Sequence, residues 1–240
     1  KLTANAFLAQ RISSINSLSA LCEATGADIE EVSKAIGMDS RIGASFLKSS
    51  VGFGGSCFQK DILNLVYISR SLGLKKVAHY WEQIIEINKY QRDRFSRKII
   101  KCISENNFNK KVIFLGWAFK KDTNDTRESA AIYVANNLLK EGISVFIYDP
   151  KVEESQIKTD LLFLNSNIDI SKVNILYEQD LEFKNNNIIA ILTEWDEFRD
   201  YNWNKIFEEM DKPAYVYDGR NILDKEKLES IGFNYIGLGR

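Results

Sequence analysis

The sequence predicts a helical domain followed by an α/β domain with a mostly parallel sheet. Three observations predict it. Both prolines, Pro150 and Pro213, lie in the second half, and the first half carries apolar residues at helical steps of three and four. From about Lys110 the apolar residues gather instead in short runs: KKVIFLG, ISVFIYDP, NIIAILTEW, AYVYDGRN and FNYIGLG. Between the first two runs lies SAAIYVANNLLKEG, a helix closed by Gly142, and a strand–helix–strand unit implies parallel pairing.

In chain order, Leu2, Asn5, Leu8, Ile12 and Ile15 share one face of a first helix. Asp28 is placed to cap a short helix, IEEVSKAIG, that stops at Gly37. A glycine-rich loop follows, then DILNLVYISRSLG, helical and closed by Gly73. From Val77 to about Ile103, the positions Val77, Tyr80, Ile84, Ile87, Gln91, Phe95, Ile99 and Cys102 hold one helical face. At about 1.5 Å per residue such a helix reaches about 40 Å, enough to join two domains, form an oligomer interface or run through a core. The polar stretch SENNFNK around Asn106 marks the expected boundary between residues 1–106 and 107–240, and FKNNNI near Asn186 reads as a loop.

The chain has 240 residues, 45% of them apolar and 27% charged, with a formal net charge of -1. That is an ordinary soluble composition with length for two modest domains. Near-neutral charge argues against nucleic acid as a partner, and no apolar run is long enough to cross a bilayer. Cys22, Cys57 and Cys102 lie far apart and His79 is the single histidine, which argues against a metal site and a disulfide framework. A reducing, cytoplasmic setting is expected. The opening KLTANAFLAQRI reads as the inside of a helix without an initiator Met, so a piece of a longer protein is expected.

The stretch VGFGGSCFQKD concentrates chemistry. Ser56, Cys57, Phe58 and Gln59 match a capping box, with Ser56 as N-cap and Cys57 as first helical residue. A thiolate there sits among unpaired backbone N–H groups at the positive end of the helix dipole. Asp61, four residues on, shares a helix face with the sulfur. A carboxylate one turn from a thiol can hold or deprotonate a water that attacks a carbonyl bound to that sulfur. The alternative is a structural turn at Gly52, Gly54 and Gly55 with Cys57 as a small buried residue; the glycines, the cap and Asp61 together favour the chemical reading. Cys22 and Cys102 lie on apolar faces and read as packing. Lys1 and Asn5 share a helix face, a pair that alone reads as a solvated helix end. Arg41 and Lys48 flank SRIGASFLKSSVGFGG, a loop whose glycines, serines and cations invite an anion.

After VIFLG the chain continues WAFKKDTNDTRESAA, keeping only Gly116 of any G-x-G-x-x-G pattern, so no nicotinamide cofactor is assigned to this sheet. Lys120, Lys121 and Arg127 occupy the loop, and Asp125 with Glu128 forms a candidate capping box for the next helix. Cations beside a helix start at the carboxyl end of a strand suggest a bound diphosphate, and Arg220 lies just beyond a later strand at the same sheet edge. The alternative is a scatter of surface cations. Asp149, before Pro150, could bond a ribose but reads better as a turn.

The segments KLTANAFLAQRISSINSLSALCEATGADIEEV, SRIGASFLKSSVGFGGSCFQKD and GWAFKKDTNDTRES closely resemble the UDP-glucose 6-dehydrogenases, and the likeness runs along nearly the whole chain, weakest from Val152 to Asn187. The resemblance implies a central helical dimerisation domain (1–106) and a C-terminal, Rossmann-like UDP-binding domain (107–240). It implies oxidation of UDP-glucose to UDP-glucuronate by two NAD⁺, with Cys57 capturing the intermediate aldehyde as a thiohemiacetal that becomes a thioester and is hydrolysed. Lys1 would move a proton or steady an oxyanion with Asn5 beside it, and Asp61 would orient Lys1 and the hydrolytic water. Lys48 to Gly54, including Ser49 and Phe53, would wrap the glucose and phosphates. Arg41 would reach substrate on a neighbouring subunit of a homo-oligomer, a dimer or higher, built through the central helices. Phe119, Lys120 and Arg220 would bind substrate, and Arg127 would touch the cofactor. The family's glycine-fingerprinted NAD domain is absent from this chain, so the fragment alone would be inactive and NAD would bind mainly elsewhere. The other readings are a non-catalytic UDP-binding and oligomerisation module, and a sister dehydrogenase of another nucleotide sugar.

Overall fold

The computed structural model describes residues 1–178 and 181–240. Packing divides the chain into two units, one of residues 1–92 with 238–240 and one of residues 93–237.

In the first unit, α1 (Leu2–Thr25), α2 (Ile29–Gly37), α3 (Phe58–Ser71) and the first part of α4 (Lys75–Asn106) are joined by the glycine-rich loop. The buried stripe of α1 follows the predicted face only at Ile15. Ala6, Ala9, Ser13, Ile15, Asn16, Ser19 and Cys22 are buried, whereas Leu2, Asn5, Leu8 and Ile12 are half-buried. Small side chains admit neighbouring elements closely, so Ala6 and Ala9 pack with Phe53, Ile62, Val66 and Ile84. Asp28 caps α2 as expected, its carboxylate accepting from Glu30 N at 2.7 Å.

Helix α4 is longer than its sequence pattern, 32 residues, or about 48 Å at the α-helical rise. The division of the chain falls inside it, between Arg92 and Asp93, not at Asn106, where the helix ends. The reason is packing: beyond Arg92 the helix serves the sheet. Phe95 lies edge-on to Tyr217, the Tyr217 hydroxyl donates to Lys98 O, and Asn137 bonds both Asp93 and Ser96.

The second unit is built on a six-stranded sheet in the order β3-β2-β1-β4-β5-β6, with all pairs parallel. The strands are β1 (Lys111–Leu115), β2 (Ser144–Tyr148), β3 (Val173–Ile175), β4 (Ile188–Ile191), β5 (Tyr215–Asp218) and β6 (Asn234–Gly237). The innermost strands carry apolar runs, VIFL after Lys111 in β1 and IIAI in β4, because both faces of a parallel sheet are covered. Helix α5 (Ala130–Lys140) packs on β2, and α6 (Glu154–Leu164) packs on α5. Short helices α7 (Glu197–Asp200), α8 (Trp203–Glu209) and α9 (Lys225–Ile231) complete the unit. Strand β3 and helix α6 lie where the sequence pattern is weak. The predicted Asp125/Glu128 cap is corrected: α5 starts at Ala130 with Ser129 as its N-cap, Asp125 bonds Arg127, and Glu128 accepts from the Tyr133 hydroxyl. Among the described residues no helix is long and apolar enough to cross a membrane. None of their His, Cys, Asp and Glu side chains cluster in a way that could hold a metal ion.

Candidate functional site

The loop before Cys57 is held from the inside. Gly52 takes φ 128°, and a Cβ there would come within 2.8 Å of Asn88 Oδ1. That close approach lets Asn88 clamp the backbone: Phe53 N donates to Asn88 Oδ1 at 2.8 Å and Asn88 Nδ2 donates to Phe53 O at 3.1 Å. Arg92 adds a bond to Phe53 O, Gln91 one to Ser50 O, and Asn16 Oδ1 accepts from Ser50 N. A buried loop must satisfy its peptide groups, and buried amides from α1 and α4 do so here. Sequence reading missed this set. The available signal was Gln91, an amide on an otherwise apolar stripe.

At the helix start the expected cap is shifted by one residue. Helix α3 begins at Phe58 with Cys57 as its N-cap, and Ser56 makes no capping bond; its hydroxyl lies 3.7 Å from Cys57 Sγ. Cys57 is exposed, whereas Cys22 and Cys102 are buried. The peptide of Asp61 donates to Cys57 O at 2.9 Å, and the buried Asp61 carboxylate accepts from Asn5 Nδ2 at 2.6 Å. Asn5 and Asp61 therefore meet through their side chains, and Cys57 is joined to Asp61 through the helix backbone. Lys1 is exposed at the mouth of α1, where its carbonyl accepts from Asn5 N at 3.0 Å. Its ammonium forms no ion pair with Asp61.

Further along, Lys48 and Ser49 line a cavity of about 270 Å³ against Ile29 and Ser33 of α2. Phe53 is buried and Gly54 half-buried. Arg41 is exposed and folded onto Asp39, its Nη2 2.6 Å from Asp39 Oδ2, which holds the Asp39 carboxyl below its ordinary range.

In the second unit the carboxyl ends of β1, β2, β4 and β5 carry three carboxylates, Asp149, Glu194 and Asp218, and the Arg220 guanidinium. Asp149, after β2, accepts from Trp117 N at 2.6 Å, Ala118 N at 3.0 Å and Trp195 Nε1 at 3.1 Å with one oxygen, and from Lys151 N and Val152 N with the other. It is a structural turn, as the sequence favoured. Gly116 adopts φ 101°, and any Cβ there would fall within 2.6 Å of Thr193 N. Arg220, beyond β5, donates to Leu192 O at 2.9 Å and to Phe119 O, and pairs with Glu194 at 3.0 Å. The structure thus brings Phe119 and Arg220 together. Lys120 is exposed above the Phe119 ring, Lys121 pairs with Asp196 and Arg127 with Asp125. Asp218, wholly buried, caps the turn after β5 by accepting from Ile222 N and Leu223 N.

These contacts decide what the β1 turn can hold. In a dinucleotide fold the peptide N–H groups after the first strand receive a pyrophosphate. Here those of Trp117 and Ala118 are taken by Asp149, so this turn does not fit a nicotinamide dinucleotide.

Comparison with known proteins follows the same two units. Residues 1–90 match the central domain of the UDP-glucose/GDP-mannose dehydrogenase family, and residues 113–225 match its UDP binding domain. The chain belongs to the UDP-glucose/GDP-mannose dehydrogenase family. Within it, the chain is 54% identical over 244 residues to the UDP-glucose 6-dehydrogenase of Drosophila melanogaster, aligning all of this chain with 51% of that protein. It is 51% identical over 245 residues to the enzyme of Bos taurus, again over the whole chain and 50% of the relative. The chain thus spans about half the length of the curated relatives it matches. Among solved structures of the family, a UDP-glucose dehydrogenase from Pyrobaculum islandicum superposes with a TM-score of 0.77 at 27% identity, over all of this chain and 50% of that one. A sugar-nucleotide dehydrogenase from Methanosarcina mazei shares the fold, with a TM-score of 0.79 at 22% identity over the same shares. The family's central-domain match contains the Cys57–Asp61–Asn5 grouping, and its UDP-binding match contains Phe119, Lys120, Arg127 and Arg220.

Proposed function

We propose that this chain is the substrate-side part of an NAD-dependent UDP-glucose 6-dehydrogenase. The observation that carries the reading is an exposed thiol at a helix start, one turn from a buried carboxylate that Asn5 holds in place. Whole-chain identity above half to UDP-glucose 6-dehydrogenases supports it and favours glucose over another sugar.

In this reading Cys57 Sγ adds to the C6 aldehyde of the oxidised substrate, and the resulting thiohemiacetal is oxidised to a thioester. NAD⁺ would supply the hydride acceptor, and Arg127 would be this chain's contact to it. Asp61 directs a water to the thioester carbonyl, and attack releases the UDP-glucuronate carboxylate while the sulfur leaves. Lys1 sits beside Asn5 at the opening, where its ammonium steadies negative charge on the former carbonyl oxygen. Lys48 to Gly54 wrap the sugar and phosphates, and the Asn88 clamp on Phe53 holds the backbone of that loop in place. Phe119, Lys120 and Arg220 receive the uridine diphosphate at the sheet edge. Arg41, which lies on the surface, reaches a neighbouring subunit, and the exposed apolar residues Leu63, Tyr67 and Leu72 of the α3 region join copies.

The test is stoichiometry. Full-length protein should form two NADH per UDP-glucose, and Cys57→Ser should stop before the free acid. Wild-type turnover in Cys57→Ser would overturn the mechanism.

A further inference from the structure

We infer that Gly239 and Arg240 are positioning residues for the Lys48–Ser49 wall of the substrate site, acting through the start of α2. The inference rests on the substrate role proposed above for Lys48 and Ser49.

The first N–H groups of a helix lack partners within it. In α2 that of Ile29 is met by Gly239 O at 2.8 Å, in addition to the Asp28 cap on Glu30 N. The contact is locked on both sides. Gly239 N donates to Glu23 Oε1 of α1 at 2.9 Å, the Arg240 guanidinium pairs with Glu30, and Leu238 is 1% exposed. Gly239 takes φ 78°, and an added Cβ would stand 2.6 Å from Ile29 Cβ and 2.9 Å from Ser19 Cβ. A residue with a side chain would push the tail off Ile29. The three residues after β6 thus form a clasp on the first turn of α2.

From that turn the path to the site is short. Ser33, one turn after Ile29, donates its hydroxyl to Leu47 O at 2.8 Å, and the next two residues are Lys48 and Ser49. Ile29, Glu30 and Ser33 form one wall of the 270 Å³ cavity, and Leu47, Lys48 and Ser49 form the facing wall. The Ser49 hydroxyl is buried without a protein partner, so its direction is set by the loop that Ser33 holds. The clasp fixes α2, α2 fixes Leu47 O, and Leu47 fixes the residues that meet the substrate.

The experiment is steady-state kinetics of full-length enzyme carrying Arg240→Ala, Gly239→Ala, Ser33→Ala or Lys48→Ala. Loosened substrate positioning in the first three should raise KM for UDP-glucose about tenfold, with kcat within about twofold of wild type. KM for NAD should not move. Reversing the charges, Glu30→Arg with Arg240→Glu, should restore KM, which a general loss of stability would not. If Lys48→Ala raises KM while folded Arg240→Ala and Ser33→Ala do not, the inference fails and the substrate role stands. If Lys48→Ala leaves KM unchanged, the substrate role fails and the inference falls with it.

Discussion

The Asn5 amide donates to the Asp61 carboxylate at 2.6 Å across 56 residues of sequence, joining α1 to the first turn of α3. The bond presents a buried carboxylate one turn behind an exposed sulfur. Replacing Asp61 by Asn keeps the shape and removes the negative charge. The expected outcome is a fall in kcat of about 10²-fold with little change in unfolding temperature. Thioester accumulation in Asp61→Asn, read by mass spectrometry of the full-length enzyme, would locate the block at hydrolysis. Unchanged kcat would exclude Asp61 from the chemistry.

Asn5→Ala tests the same bond from the other side. A buried carboxylate that loses its donor should cost about 1–3 kcal/mol of stability, measurable by denaturant unfolding. Asn5→Asp should cost more, since it sets a second carboxylate against the first.

Asp149 gathers N–H donors from five residues around the turn after β1. Asp149→Ala removes the acceptor of those half-buried donors and should destabilise by about 2–3 kcal/mol. A loss below 1 kcal/mol, again by denaturant unfolding, would mean that water replaces the carboxylate.

Gly116 admits no side chain, because its φ is 101° and Thr193 fills the space where a Cβ would stand. Gly116→Ala should destabilise by about 2–4 kcal/mol, and Thr193→Gly in the same chain should recover part of it. Wild-type unfolding in Gly116→Ala would show that the turn has room to move.

Alkaline pH should loosen the second unit. Burial, and then the neighbouring Glu197 carboxylate, raise the Tyr201 phenol above its ordinary value of 10.0. Folding therefore favours the protonated phenol. That stabilisation is fully present below pH 10.0 and is lost as pH rises toward the folded-state value. Tyr201→Phe should flatten the loss of stability above pH 10, and an unchanged alkaline limb would assign it to other groups.

The helices and most strands were legible because their signals are local. Asp28 before an amphipathic run, Gly73 and Gly142 after helices, and the uninterrupted VIFL and IIAI runs each report their own neighbourhood. Strand β3 was not legible: three residues long at the sheet margin, it carries too little apolar pattern to register. The one-residue shift of the α3 cap has a similar cause, since the capping-box pattern does not reveal that the Ser56 hydroxyl turns toward Cys57 Sγ.

The sequence by itself determined the two-part architecture, the parallel sheet, and the placing of Cys57 and Asp61 on one helical turn, because periodicity and spacing within a single element do not depend on distant residues. Only the tertiary structure decided that Asn5 holds Asp61, that Asn88 and Arg92 clamp the glycine loop, that Arg220 joins Phe119, and that Gly239 clasps α2. These are contacts between residues far apart in the chain, where burial demands a partner for every polar group and the fold alone determines which residue is within reach.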